Sequence, residues 1–417
     1  MIVMVTDDQM SRCHGRQGAM KVTDDQMSRC HGRQGATKER RCSKEGGNTI
    51  EQVCVGIDLG GSKIKLGLFD LAGTCIHELR MDTPIEQGYE GVLRVFSLMI
   101  EEVLQQTGGS WENIQGIGIG VPAFIDYKHN VLLHVTNLGW RNIHLKSDLE
   151  NMWHKPVFID NDANMAALGE LWYGAGQDAE DFLCLTIGTG IGSGIIIGRN
   201  IYRGHMGLAG EIGHISLSKS KDRKCNCGRY GCLETEVSSR AIELDALELV
   251  QKRKSVKLLS EYRKQGRISA KFIIDQALAG DEDCRRIISH AGTVLGMELA
   301  NIATILNPQK VIIGGGISAA EHILMGPLIA AFRSVASPLI AEHTEIVLAQ
   351  LGNRAGIQGA AGMAIHGISP QGGARAIHIH DAAEIREATA KEMKDAAAMD
   401  MKKVTEIEEE SEMNNAN

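Results

Sequence analysis

Gly56-Ile57-Asp58-Leu59-Gly60-Gly61-Ser62-Lys63 continues an apolar run that starts at Val53 and leads into a second run, Ile64–Phe69. Two short apolar runs around a glycine turn predict two strands joined by a tight loop. Glycines there let the backbone approach phosphate oxygens and present N–H groups with no side chain in the way. Asp58, at the end of a buried strand, suits a magnesium ion held through water. The P-loop signature, Gly-Lys-Ser/Thr after four variable residues, is absent from this turn.

About 130 residues on, the pattern recurs. Phe182–Ile187 and Gly194–Ile197 flank Gly188-Thr189-Gly190-Ile191-Gly192-Ser193-Gly194. A plain hairpin turn explains either loop alone. Two such loops, each after an apolar strand, point to a phosphate clamp built from two lobes. Between and beyond them, Ile114–Val121, Val157–Ile159 and Val311–Ile313 read as strands. Val92–Gln106, Ala163–Leu171, most of 241–280 and Arg285–Leu306 have helical spacing. The mixture is that of an α/β protein.

Ile159-Asp160-Asn161-Asp162-Ala163-Asn164 joins a strand to a helix. An acidic residue there serves either as a helix N-cap or, beside the Asn161 amide, as the carboxylate that orients an alcohol and accepts its proton in phosphoryl transfer. The residues alone leave both open. Glu211, within Ala209-Gly210-Glu211-Ile212-Gly213-His214, is either an accident of a loop or an acceptor for sugar hydroxyls. His214 is followed by Cys225-Asn226-Cys227-Gly228-Arg229-Tyr230-Gly231-Cys232. One imidazole and three thiolates form a closed tetrahedral zinc set of structural type, the alternative being reduced thiols without metal. Cys54, Cys75, Cys184 and Cys284 stand singly in apolar stretches and read as small core residues. His134, His144, His154, His205 and His290 have no such company and read as ordinary surface or core residues.

The 417 residues suffice for two domains, and a formal charge of −8 argues against a polyanion partner. No apolar run reaches the length of a membrane span and no secretory signal opens the chain, so a cytoplasmic protein is expected. Residues 1–51 stand apart. The string VTDDQMSRCHGRQGA occupies Val5–Ala19 and returns unchanged at Val22–Ala36. Its Cys13-His14 and Cys30-His31 pairs could bind a metal, but the segment reads as a tandem duplication or a misplaced start. Residues 368–417 read as a charged tail, with a solvated helix over 385–403.

Together these motifs, with Gly314-Gly315-Gly316, resemble those of the ROK family of sugar kinases, repressors and related reading frames, over about Val53 to Gly367. The resemblance implies an actin-like, ribonuclease H-like ATPase fold of two lobes with an inserted structural zinc site. One lobe would span 52–180, completed by about 353–367, and the other 181–352. It implies Asp162 as general base for a sugar 6-hydroxyl. Asn137, Asn161, Glu211, His214 and Glu234 would be sugar ligands, and His214, Cys225, Cys227 and Cys232 zinc ligands. ATP and magnesium would lie at Asp58, Gly60, Gly61, Ser62, Lys63, Gly188, Thr189 and Gly190, with the adenosine end at Gly315 and Gly316. A homodimer is implied as well. The cysteine spacing and Asn137-Leu138-Gly139-Trp140 look most like glucokinases, with allose, mannose, fructose and N-acetylmannosamine as alternative substrates. Ala123 and Ser239 stand where the family often has glycine. A sugar-responsive repressor would need a helix-turn-helix, for which residues 1–51 offer only the duplicated polar string. A non-catalytic sugar-binding protein is the third reading.

Overall fold

The computed structural model describes residues 40–41, 52–135, 137–217 and 223–368. The duplicated string, its Cys-His pairs and the 385–403 helix lie outside the described residues. Strands β1 (Arg40–Arg41), β2 (Val53–Leu59), β3 (Lys63–Asp70), β4 (Cys75–Asp82), β5 (Ile114–Val121) and β9 (Val157–Asn161) form one sheet, ordered β1-β4-β3-β2-β5-β9. Central β2 is buried almost throughout, as a strand covered on both faces must be. It pairs antiparallel with β3 and parallel with β5, which is parallel to β9. The predicted hairpin closes with Leu59 opposite Ile64 and with the Gly60 N–H donating to the Lys63 carbonyl, 3.0 Å.

Helix α1 (Gly88–Thr107) covers one face of this sheet with Val92, Phe96, Met99 and Val103, and stops at Gly108 in the left-handed conformation. It is one turn longer than its apolar spacing predicted. Strands β6 (Ala123–Asp126), β7 (Val131–Val135) and β8 (Trp140–Ile143), too short to stand out in the sequence, make a small separate sheet. Helix α2 (Leu145–Trp153) follows, and α3 (Asp162–Tyr173) starts where β9 ends.

The second sheet contains β10 (Phe182–Ile187), β11 (Ile191–Ile197), β12 (Asn200–Tyr202), β13 (Lys310–Gly314) and β14 (Glu345–Leu348), ordered β12-β11-β10-β13-β14. This repeats β4-β3-β2-β5-β9, including two antiparallel and two parallel pairings. A twice-used ribonuclease H-like sheet is the actin-like architecture, and the two glycine turns occupy equivalent places in the two copies. The helical stretch after the cysteine cluster begins with the short α4 (Glu234–Val237) and continues as α5 (Ser239–Gln251), α6 (Val256–Gln265) and α7 (Ala270–Leu278). Ser238, Ser255 and Ser269 each accept a backbone N–H at the restart, which is why one long helical reading divides into three main helices. Helix α8 (Glu282–Leu306), capped by Asp281, packs along α9 (His322–Val335), and α10 (Pro338–His343) precedes β14.

The last described helix, α11 (Ala355–Ile368), returns to the first sheet and lies across β2 and β5, beside α3. Its approach is so close that a methyl group at Gly56 or Gly118 would strike the carbonyl oxygens of Ile357 and Ala360. Glycine in the opening motif therefore serves helix–sheet contact as well as the turn. Helix α3 also packs on β10 and β11, so its N-terminus sits between the sheets.

Candidate active site

Asn161, not an aspartate, is the N-cap of α3. Its Oδ1 accepts the N–H groups of Ala163 (2.9 Å) and Asn164 (3.3 Å). The neighbouring carboxylate is not the cap, although its Oδ1 also accepts the Ala163 N–H at 3.0 Å, and Asp162 lines a cavity of about 180 Å³. Asn137, Asn161, Glu211 and His214 line the same cavity, with Ala123 and Phe124 along the small sheet. Burial, and next the negative charge of Asp58, push the Asp162 carboxyl up to about 6. Such a group is ionised at neutral pH yet basic enough to take a proton, the balance a general base needs. Glu211 is also raised, first by burial and then by Glu234, with His214 opposing.

Asp58, next to last in β2, accepts a hydrogen bond from Lys65 Nζ at 2.7 Å. Lys65 is its direct partner across the hairpin, a contact set by the Leu59–Ile64 closure and missed by motif reading. Lys63 instead pairs with Asp82 at 2.6 Å in an exposed position and does not join Asp58. The first turn reaches the cavity, since Gly61 abuts Asn137. The Gly60 and Gly188 N–H groups are spent inside their own turns, on the carbonyls of Lys63 and Gly190. Gly315, at a φ of 87°, packs on the backbone of Ile187, so the Gly314–Gly316 turn lies beside the second glycine loop.

Glu234 stands near the cavity wall, where its charge acts on the Glu211 carboxyl. Its Oε2 accepts the Ile191 N–H at 3.1 Å and its Oε1 lies 3.5 Å from Cys225 Sγ, tying the second glycine turn to the cysteine cluster. Ser239 ties the same turn to α5 through its N–H, which donates to the Gly188 carbonyl at 2.8 Å.

His214, Cys225, Cys227 and Cys232 bring their ligand atoms within 4.8 Å of one another. Cys225 Sγ is 3.6 Å from His214 Nδ1, and Cys227 Sγ is 3.6 Å from Cys232 Sγ. A tetrahedron with ordinary zinc bonds to sulfur and nitrogen has edges of about 3.5–3.8 Å. These two edges match that value, and the four-donor set fits zinc. The other ring nitrogen, His214 Nε2, lies 3.8 Å from Glu211 Oε2. The imidazole thus links the cysteine cluster to the cavity wall. Cys54, Cys75, Cys184 and Cys284 are buried and scattered, as expected of small core residues. His290, read as unaccompanied, lies 3.9 Å from Glu236.

Residues 54–366 match the model of the ROK family. A glucokinase of Halalkalibacterium halodurans is 39% identical over 305 residues, covering 73% of this chain and 92% of its own. A xylose repressor of Caldicellulosiruptor bescii is 35% identical over 274 residues, covering 66% and 68%. The crystal structure of a ROK family glucokinase from Streptomyces griseus in complex with glucose and AMPPNP superposes with a TM-score of 0.64 at 31% identity, covering 75% of this chain and 98% of that one. Among the described residues no helix is long and apolar enough to cross a membrane.

Proposed function

The chain belongs to the ROK family, and on that premise we propose that it is an ATP-dependent sugar kinase acting on the 6-hydroxyl of an aldohexose of the glucose type. The observation that carries this reading is the placement of Asp162, a carboxylate raised to about 6 in a polar cavity between two sheets, beside Asp58. The sugar occupies the cavity, held by Asn137, the Asn161 amide, Glu211 and His214. Asp162 orients the hydroxyl and takes its proton as the oxygen attacks the γ-phosphate in line. Amides of Gly61, Ser62, Thr189 and Gly190 receive the phosphate oxygens, with the adenosine end toward Gly315 and Gly316. Magnesium at Asp58 would neutralise phosphate charge, and Lys65 fixes that carboxylate in place. Zinc held by His214 and the three cysteines would be structural, keeping the imidazole at the cavity wall.

Glucose as substrate is supported by the glucokinase relatives, while allose, mannose, fructose and N-acetylmannosamine share the hydroxyl that reacts. The product tests the reading. Glucose with ATP must yield the 6-phosphate, and 6-deoxyglucose must yield none. A second reading, a sugar-responsive regulator, is favoured by the xylose repressor similarity. Sugar binding without any ADP release would favour that reading, or a non-catalytic sugar-binding protein, over the kinase.

A further inference from the structure

Behind the residues assigned to catalysis lies a buried ion pair with no part in the scheme above. Asp160, fully buried, belongs to β9 and the first sheet, and Arg203, 9% exposed, follows β12 in the second. Arg203 Nε and Nη2 donate to Asp160 Oδ2 at 2.9 and 2.5 Å. The other oxygen accepts Tyr127 Oη (2.5 Å), the Asn161 N–H (2.7 Å) and Asn164 Nδ2 (2.8 Å). The guanidinium lies over the Tyr127 ring, 4.7 Å from its centroid. One carboxylate thus takes five hydrogen bonds from four residues, three from the first lobe and one from the second.

The partners of this pair lead straight to the cavity. On the Asp160 side, the turn it secures presents Asn161 and Asp162. On the Arg203 side begins the loop that carries Ala209, Gly210 and Glu211 to the opposite wall. That loop closes on itself through the Ala209 N–H, which donates to the Arg203 carbonyl at 3.1 Å, and Gly207 rests on Tyr127. A buried pair of this kind adds little to stability by itself, because desolvation offsets most of its attraction, so its use lies in geometry.

We propose that Arg203 is a positioning residue, which holds the Glu211 loop of one lobe in register with Asp162 of the other so that both meet the same sugar. The proposal rests on reading the cavity as the sugar site. Arg203→Met keeps the apolar length and removes the hydrogen bonds. The expected result is a loss on the order of 10²-fold in kcat/KM for the sugar. The KM for ATP and the zinc content stay at wild-type levels. Arg203→Lys, which keeps the charge and one hydrogen bond, should recover part of the loss. An unchanged sugar KM and kcat overturns the proposal, and so does an equal loss in sugar and ATP parameters, which marks a merely structural role. Should Arg203→Met not fold, Arg203→Met combined with Asp160→Asn leaves no buried charge unpaired and must show the same split. If the wild-type protein transfers no phosphoryl group, the kinase reading fails alone. Sugar binding, measured by calorimetry with glucose and the panel of related hexoses, then still decides whether Arg203 sets the cavity.

Discussion

Asp162→Asn should abolish turnover and, at the same time, make the protein more stable at neutral pH. The folded chain raises this carboxyl from 3.8 to about 6, by burial first and by Asp58 second. That gap corresponds to about 3 kcal/mol of cost borne by the folded state once both states are ionised. The pH dependence follows from the sign. Below both values the carboxyl is neutral, folded or unfolded, and costs nothing. Between about 4 and 6 the unfolded chain ionises while the folded one resists, so stability is lost as pH rises through that window. Above it the cost is constant, and at pH 5 it should be about half its neutral value. Asparagine keeps the side-chain oxygen that accepts the Ala163 N–H and carries no charge at any pH. Thermal unfolding of both proteins with zinc present, at pH 5 and pH 7, reads the effect as a midpoint raised by roughly 5 °C at pH 7 and by less at pH 5. A variant no more stable than wild type at pH 7, or an advantage that does not shrink toward pH 5, would refute the placement of this carboxylate.

Other outcomes follow from the same geometry. The kcat/KM for sugar should fall about tenfold per pH unit below 6, because the base must be ionised. The residual activity of Asp58→Asn should show a lower midpoint, since a negative neighbour is gone. Cys227→Ser should lose its zinc in elemental analysis and raise the sugar KM, because His214 is then held from one side only. Gly118→Ala should lower stability by about 1–3 kcal/mol or more in urea unfolding, as its methyl group meets the Ala360 carbonyl that α11 lays on β5.

Much of the frame was legible because its signals are local. A glycine turn between apolar runs announces a hairpin, and its occurrence twice announced the two repeated sheets. The cysteine spacing, with a histidine eleven residues ahead of Cys225, announced a metal set whose atoms the fold brings together. What escaped depends on pairing at a distance. Lys65 reaches Asp58 only through strand register, and the motif drew attention to Lys63, which points to Asp82 instead. Asn161 took the cap that an aspartate was equally suited to fill. Arg203 and Asp160 stand 43 residues apart on different sheets, and no periodicity joins them. The glycines of β2 and β5 looked like turn and strand residues, while their service to α11 involves a helix about 300 and about 240 residues further along.

The most direct measurement is ADP release by the purified protein with magnesium and ATP against glucose, allose, mannose, fructose and N-acetylmannosamine, with Asp162→Asn as control. Turnover on a hexose, with glucose foremost, that falls by at least 10² in the variant is the predicted result. Turnover undiminished in Asp162→Asn, or no turnover with any sugar that binds, would contradict the account.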